Sequence, residues 1–222
     1  MVDAIQDSLI NLDTSLLLMV NGVHNDFFNH FMYTYSGKFV WIPMYAGIFY
    51  LLFKSLTTRQ LIFVVLGVVL LITLTDQLCA HLIRPFVERW RPSNTNSPVY
   101  EMVHVVNNYR GGRYGFPSCH ASNTFALATY VMLLIRCRWL TVFMMLWALI
   151  TCYSRTYLGV HYPGDLLAGG ALGAMCASLV YWLLVRFGGY SRPAEIKYPY
   201  LPIWMGLLTI GGIFIYSAIK IA

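Results

Sequence analysis

The sequence predicts an all-α integral membrane protein: a helical bundle of about six transmembrane helices, preceded by an amphipathic interfacial helix. Three observations support this prediction. Apolar residues make up 58% of the 222 residues and charged residues only 11%. The apolar residues gather in long runs, and the basic residues lie mainly between those runs. Soluble domains carry about 25% charged residues, so the composition excludes an ordinary soluble fold.

A helix needs about 20 apolar residues to cross the hydrocarbon layer. The first, third and fourth runs of this chain are shorter and must borrow flanking residues. We predict one membrane-embedded domain over residues 1–222, with an interfacial segment over 1–36 and the bundle over 37–219. The six predicted spans are residues 39–53, 61–83, 124–135, 140–152, 166–185 and 201–219.

The first 20 residues alternate apolar and polar positions at helical spacing, which indicates a helix lying in the membrane interface. Three aspartates and no basic start distinguish this segment from a cleaved signal peptide. The apolar positions are Ile5, Leu9, Leu12, Leu16, Leu17 and Val20.

Basic residues in short loops indicate the orientation. The loops after the first, third and fifth spans are basic and are predicted to be cytoplasmic, so the loops after the second and fourth spans face outward. The loop over residues 84–118 is also basic, but we attribute its arginines to phosphate binding rather than to topology.

The net charge of +6 is scattered over short loops. This pattern does not indicate nucleic acid, and it favours anionic lipid headgroups or phosphate as partners. No protein partner is implied. The cysteines form no C-x-x-C pair, so neither a disulfide framework nor a zinc site is predicted. They are Cys79, Cys119, Cys137, Cys152 and Cys176.

Three polar clusters interrupt the apolar chain, and the span count places all of them at one membrane face. They cover residues 84–92, 115–123 and 154–165. Guanidinium groups suit the anionic oxygens of a phosphomonoester, and Arg84, Arg91 and Arg155 are the candidates. The amides of Ser118, Cys119 and His120 open a helix, where free N–H groups attract anions. These donors need no metal or other cofactor.

Two histidines suit phosphoryl transfer, one as nucleophile and one as acid. Asp165 follows His161 by four residues and is placed to fix its tautomer and raise its basicity, which favours His161 as the nucleophile. His120 is then the acid. Asp165 is also a natural cap for the fifth span, and the two roles are compatible.

Six further polar residues have weaker assignments. Arg89 is interpreted as a span-end arginine that snorkels to headgroups. Asp76 is predicted to face the bundle interior, paired with an arginine of the clusters or with water. Contact with the substrate headgroup is a possible role that the spacing does not require for His81, His104, Asn107 and Tyr109.

The clusters resemble the three motifs of the type 2 phosphatidic acid phosphatase superfamily, in the right order and over residues 61–185. The second matches P-S-x-H and the third S-R-x5-H-x3-D. Two positions depart from the family: Arg84 replaces lysine and Cys119 replaces glycine. The resemblance implies a metal-free bacterial membrane lipid phosphatase of the inner membrane with a periplasm-facing site. It implies a phosphohistidine on His161, and a polyprenyl diphosphate, lipid A, phosphatidylglycerophosphate or phosphatidic acid as substrate.

Other readings remain open. A phosphotransferase passes the phosphate to a second acceptor instead of water. A non-enzymatic transporter of anionic lipids is a less favoured alternative, and a haem protein is disfavoured because the histidines lie at span ends beside arginines.

Overall fold

The computed structural model describes the backbone of residues 2–222 and the side chains from residue 7 onward. The regular secondary structure of this described part is helical, apart from an isolated bridge between Trp90 and Tyr114, so the all-α prediction is confirmed. The helices are α1 (Val2–Asn21), α2 (Asp26–Tyr35), α3 (Ile42–Ser55), α4 (Thr58–Asp76), α5 (Arg84–Val87), α6 (Cys119–Ile135), α7 (Arg138–Tyr157), α8 (Pro163–Phe187) and α9 (Leu201–Ile221).

The helices long and apolar enough to cross a membrane are fewer than predicted. Within the described residues they are Thr58–Val87, Pro163–Phe187 and Leu201–Ile221. A fourth is added if α2 and α3, bent by 71° at the break between them, form one span. The predicted count of about six is therefore not confirmed. The two predicted spans at residues 124–135 and 140–152 lie in α6, which has only 17 residues, and in α7, which carries arginines at both ends.

Local signals explain where the central helices begin and end. Thr57 and Gln60 form a capping box at the start of α4. The Ser118 side chain caps α6, and Arg136 ends it in the left-handed conformation. Between α4 and α5 the chain forms a π-helix, Gln77–Ile83, a rare geometry that often accompanies functional sites.

Helix α6 lies at the centre of the bundle and packs most closely on α8. The pattern G-x-x-x-G in α8 permits this approach. A Cβ atom on Gly169 would lie 3.1 Å from Cβ of Ala121, and one on Gly173 would lie 2.9 Å from the backbone nitrogen of Ala126. The backbones of α6 and α8 are therefore in direct contact.

Most apolar side chains of α1 point outward. Its inward face carries Asp13 and Asn21 together with Leu17. Leu9, Leu12 and Met19 are exposed, whereas Leu17 is fully buried. The predicted apolar stripe is thus split between the surface and the protein, while the side chain of Ile5 lies outside the described residues. The inward face of α1 reaches the start of α8.

Candidate active site

His161 lies fully buried in the turn between α7 and α8. Its Nδ1 is 3.3 Å from Oδ2 of Asp165, and its Nε2 is 2.8 Å from Nη1 of Arg91. A guanidinium group only donates hydrogen bonds, so Nε2 must be the unprotonated acceptor and Nδ1 must carry the hydrogen toward Asp165. Burial, and then the charges of Arg91 and Arg155, lower the pKa of His161 well below 6.5. The ring is therefore neutral at neutral pH, with its lone pair on Nε2.

Asp165 caps α8 and orients His161 at the same time. Its Oδ2 also accepts the backbone N–H of Tyr162 at 3.1 Å, and its Oδ1 accepts a hydrogen bond from Arg89 at 3.0 Å. Gly115 lies directly against it, because a Cβ atom there would be 2.8 Å from Oδ2. Every oxygen of this fully buried carboxylate is thus engaged.

Arg84 and Arg91 are held by backbone carbonyls. Arg91 donates from Nε to the oxygen of Tyr114 and from Nη1 to that of Val160, each at 3.1 Å. Burial lowers the pKa of Arg91 to about 10, which leaves the group charged at neutral pH. Arg84 donates from Nε and Nη2 to the oxygen of Pro117, at 3.2 and 3.1 Å. Both guanidinium groups are therefore fixed in place before any anion binds.

Arg155 has a buried N–H group without an acceptor. It is 2% exposed, and its Nη1 and Nη2 donate to the hydroxyls of Ser36 and Tyr109, each at 3.0 Å. Its Nε is buried and has no hydrogen-bond partner. Buried donors are almost always paired, so this N–H is an exception within the described residues.

The segment 118–120 supplies fewer free amides than predicted. The N–H of Ser118 is donated to the backbone oxygen of Asp165 at 3.0 Å, and its hydroxyl caps α6. This amide is already used, which corrects the prediction for Ser118. Cys119 and His120 occupy the first turn of α6, where N–H groups have no intrahelical partner, and both line the cavity described below.

His120 and His161 share the same positive neighbours. Burial, and then the charges of Arg155, Lys38 and Arg91, lower the pKa of His120. The charges of Arg84, Arg91 and Arg155 act on both rings, so the two histidines and the three arginines lie near one another.

Several polar residues have partners that differ from those predicted. Asp76 accepts a hydrogen bond from the side-chain amide of Asn123 at 2.9 Å and not from an arginine. Arg89 does not snorkel freely, because it binds both Asp13 and Asp165. His104 stacks on His24 with ring centroids 3.7 Å apart. Asp13 and Ser36 reach the site from the segment predicted to lie in the interface, and Lys38 reaches it from just after that segment.

A cavity of about 940 Å³ extends from His120, Arg84 and Arg91 into the bundle. One end is polar and includes Lys38, Arg84, Arg91, His120 and His81. Away from this end the walls come from α3, α4, α6 and α7 and are mainly apolar. The apolar lining residues include Ile48, Phe49, Leu52, Val64, Val65, Val68, Val69, Ile72, Leu127 and Trp147.

The model of the PAP2 superfamily matches residues 64–188. A lipid A 4′-phosphatase of Bacteroides thetaiotaomicron is 42% identical over 220 residues, which cover 96% of this chain and 98% of that protein. A lipid A 4′-phosphatase of Porphyromonas gingivalis is 32% identical over 93% of this chain and 90% of its own.

A solved structure shares the fold. The crystal structure of Aquifex aeolicus LpxE superposes with a TM-score of 0.55 at 23% identity, covering 77% of this chain and 95% of that one. The family model matches more than half of the chain, and the relatives named lipid A 4′-phosphatase align over nearly all of it. The chain belongs to the PAP2 superfamily and is a membrane lipid phosphatase.

Proposed function

We propose that the chain hydrolyses the 4′-phosphate of a lipid A-type lipid through a phosphohistidine on His161. The observation that carries this proposal is the cavity, which joins a cluster of arginines and histidines to a long apolar passage. A phosphate at the polar end satisfies the guanidinium groups while the lipid portion occupies the apolar walls. The substrate position is taken from the relatives, which bear that name at up to 42% identity.

The first half of the reaction uses the lone pair of His161. Nε2 attacks phosphorus in line with the ester oxygen, forming a P–N bond as the P–O bond to the lipid breaks. In the free site, Nη1 of Arg91 donates to Nε2. When the substrate binds, this N–H is donated to a phosphate oxygen instead. Asp165 holds the Nδ1–H and stabilises the positive charge that develops on the ring.

His120 gives a proton to the departing lipid alkoxide. The free site keeps His120 neutral because buried positive groups surround it. A phosphate dianion bound among those groups reverses the local charge and favours the imidazolium. In the second half, water attacks phosphorus, His120 takes its proton, and orthophosphate leaves His161.

The site is proposed to face the periplasm from the inner membrane of a bacterium. Support comes from basic residues at the connections that follow α3, α6 and α8, which favour the cytoplasmic side. They are Lys54, Arg59, Arg136, Arg138, Arg186, Arg192 and Lys197. This orientation is tested by introducing single cysteines into exposed loops and labelling them in intact cells with a reagent that cannot cross the membrane. Cysteines in the 88–118 loop should react, and those in the 188–199 loop should not.

Phosphate release by the purified protein tests the substrate. The panel contains a lipid A-type lipid, a polyprenyl diphosphate, phosphatidylglycerophosphate and phosphatidic acid, each with and without a chelator. We expect fastest release from the lipid A-type lipid at its 4′ position, insensitive to the chelator because arginines bind the phosphate. Preference for another lipid, or loss of activity with chelator, would contradict the proposal.

The transfer alternative is tested in the same assay. Hydrolysis sends labelled phosphate to water, whereas a phosphotransferase leaves it on a sugar or a second lipid. The comparisons support the hydrolase and give no support to transfer or transport.

A further inference from the structure

Arg89 joins two carboxylates from distant parts of the chain. Its Nη1 is 3.0 Å from Oδ1 of Asp165 and its Nη2 is 2.6 Å from Oδ2 of Asp13. The guanidinium also lies over the ring of Tyr162, 4.0 Å from its centroid. The chain of contacts thus runs from His161 through Asp165 and Arg89 to Asp13 in α1.

Asp13 has both oxygens engaged at the start of α8. Its Oδ1 accepts the backbone N–H of Gly164 at 2.7 Å. A Cβ atom on Gly164 would lie 2.8 Å from Oδ2 of Asp13, so the glycine permits this approach. Asp13 therefore anchors α1 on the turn that carries Asp165.

We propose that Asp13 is a positioning residue of the phosphatase site, which acts by holding Arg89 against Asp165. The proposal rests on the proposed role of His161. Arg89 keeps 24% of its side chain exposed, so without Asp13 it is free to rotate toward headgroups and water. Asp165 is 0% exposed and would then lose the partner of its Oδ1, the oxygen that does not face His161.

Asp13 lies outside residues 64–188, the part of the chain that matches the family model. Its two carboxylate oxygens are occupied by Arg89 and by the N–H of Gly164, so Asp13 is not free to bind the substrate itself. Its effect should therefore fall on the chemical step and not on binding. The same arrangement makes α1, whose outer face is apolar, a component of the active site.

Asp13→Asn tests the proposal. The amide oxygen of Asn can still accept the N–H of Gly164, but the negative charge that holds Arg89 is removed. We expect kcat to fall about tenfold or more while KM changes less than about twofold. Asp7→Asn, an exposed aspartate on the same helix, is the matched control and should keep wild-type kcat. Wild-type kcat in Asp13→Asn would overturn the proposal.

A double-mutant cycle separates positioning from a merely structural effect. If Asp13 acts through Arg89, the double variant Asp13→Asn/Arg89→Gln should be no slower than Arg89→Gln alone. Additive losses would contradict this. Should Asp13→Asn fail to fold, Arg89→Lys takes its place: an ammonium group lacks the planar fork that spans two carboxylates, so the same fall in kcat is expected. Unchanged kcat there would overturn the proposal.

His161→Gln separates this proposal from the proposed function. An inactive His161→Gln together with a fully active Asp13→Asn refutes only the role of Asp13. An active His161→Gln refutes the mechanism on which that role rests.

Discussion

At the scale of single residues, the site is organised before substrate arrives. His161 is held in one tautomer by Asp165 and Arg91, and the arginines are fixed by carbonyl groups. Transition states are stabilised best by groups that need no reorganisation at the moment of reaction. The proposed attack requires one rearrangement, in which Nη1 of Arg91 leaves Nε2 of His161 and binds a phosphate oxygen.

The role of His120 predicts a dependence on the leaving group. A lipid alkoxide needs a proton as it departs, whereas an activated aryl oxide does not. We expect His120→Ala to lower kcat/KM for the lipid by about 10²- to 10⁴-fold and for an activated aryl phosphate by much less. Equal losses for both substrates would rule out His120 as the acid.

The close approach of Gly115 to Asp165 predicts the effect of one methyl group. In Gly115→Ala the new Cβ displaces Oδ2, the oxygen that faces His161. We expect a fall in kcat and a loss of about 1–3 kcal/mol in stability, measured by phosphate release and denaturation. Gly112→Ala is the control, since a Cβ there meets nothing within 4 Å. Equal behaviour of the two variants would contradict the geometry.

The buried neutral state of His161 predicts a stability change with pH. Burial lowers the pKa of His161 in the folded protein. Below about pH 6.5 the imidazole is therefore protonated in the unfolded chain but still neutral in the folded one. This contribution to stability is present above that pH and is lost as pH falls, by up to about 1.4 kcal/mol per pH unit. The Tm of the wild type should fall more steeply below about pH 6.5 than that of His161→Gln. Parallel curves would show that His161 is not responsible.

At the scale of helices, the contact of α6 with α8 places the second motif beside the third. The N–H of Ser118 is bonded to the backbone oxygen of Asp165, so the two helix starts are joined directly. This contact depends on small residues, and it explains why α6 serves the bundle although it has only 17 residues. Its buried sides face other helices and not lipid.

A large side chain in place of a glycine of α8 at this contact should therefore disrupt the site. We expect Gly173→Leu to destabilise the protein and to lower phosphatase activity, because its side chain meets the backbone of Ser122 and Ala126. Gly212→Leu in α9 is the control, since a Cβ there has open space. Thermal denaturation and activity are measured together, and a stable, active Gly173→Leu would contradict the packing.

The sequence predicted the positions of the helices better than the number of helices long and apolar enough to span a membrane. Apolar runs located α4, α8 and α9, because lipid-facing helices must be apolar along their length. Helix α6 is short and mostly buried, whereas α7 exposes Val142, Leu146 and Leu149 but has arginines near both ends, which shorten its apolar run. The bend between α2 and α3 and the π-helix at Gln77–Ile83 depend on packing and left no local signal.

The site was predicted where chemistry and spacing coincide, and missed where partners are far apart in sequence. The fixed spacing of His161 and Asp165 on one turn indicated their contact. Arg89 and Asp13 meet only because α1 folds onto the start of α8, and nothing in the sequence around either residue indicates the other.

At the scale of the whole molecule, the cavity joins a polar end to an apolar passage inside the bundle. We expect Val68→Trp, which fills the apolar passage, to lower kcat/KM for the lipid while sparing a short aryl phosphate. Leu66→Trp, 56% exposed on the same helix, is the matched control and should affect neither substrate. Equal effects on both substrates would show that the passage does not hold the lipid.

Identification of the covalent intermediate tests the central claim most directly. The purified protein is mixed with lipid carrying labelled phosphate, quenched within one turnover, digested and analysed by mass spectrometry under conditions that preserve phosphohistidine. We predict labelled phosphate on His161 in the wild type and none in His161→Gln. Phosphate on another residue, or wild-type turnover in His161→Gln, would contradict the account.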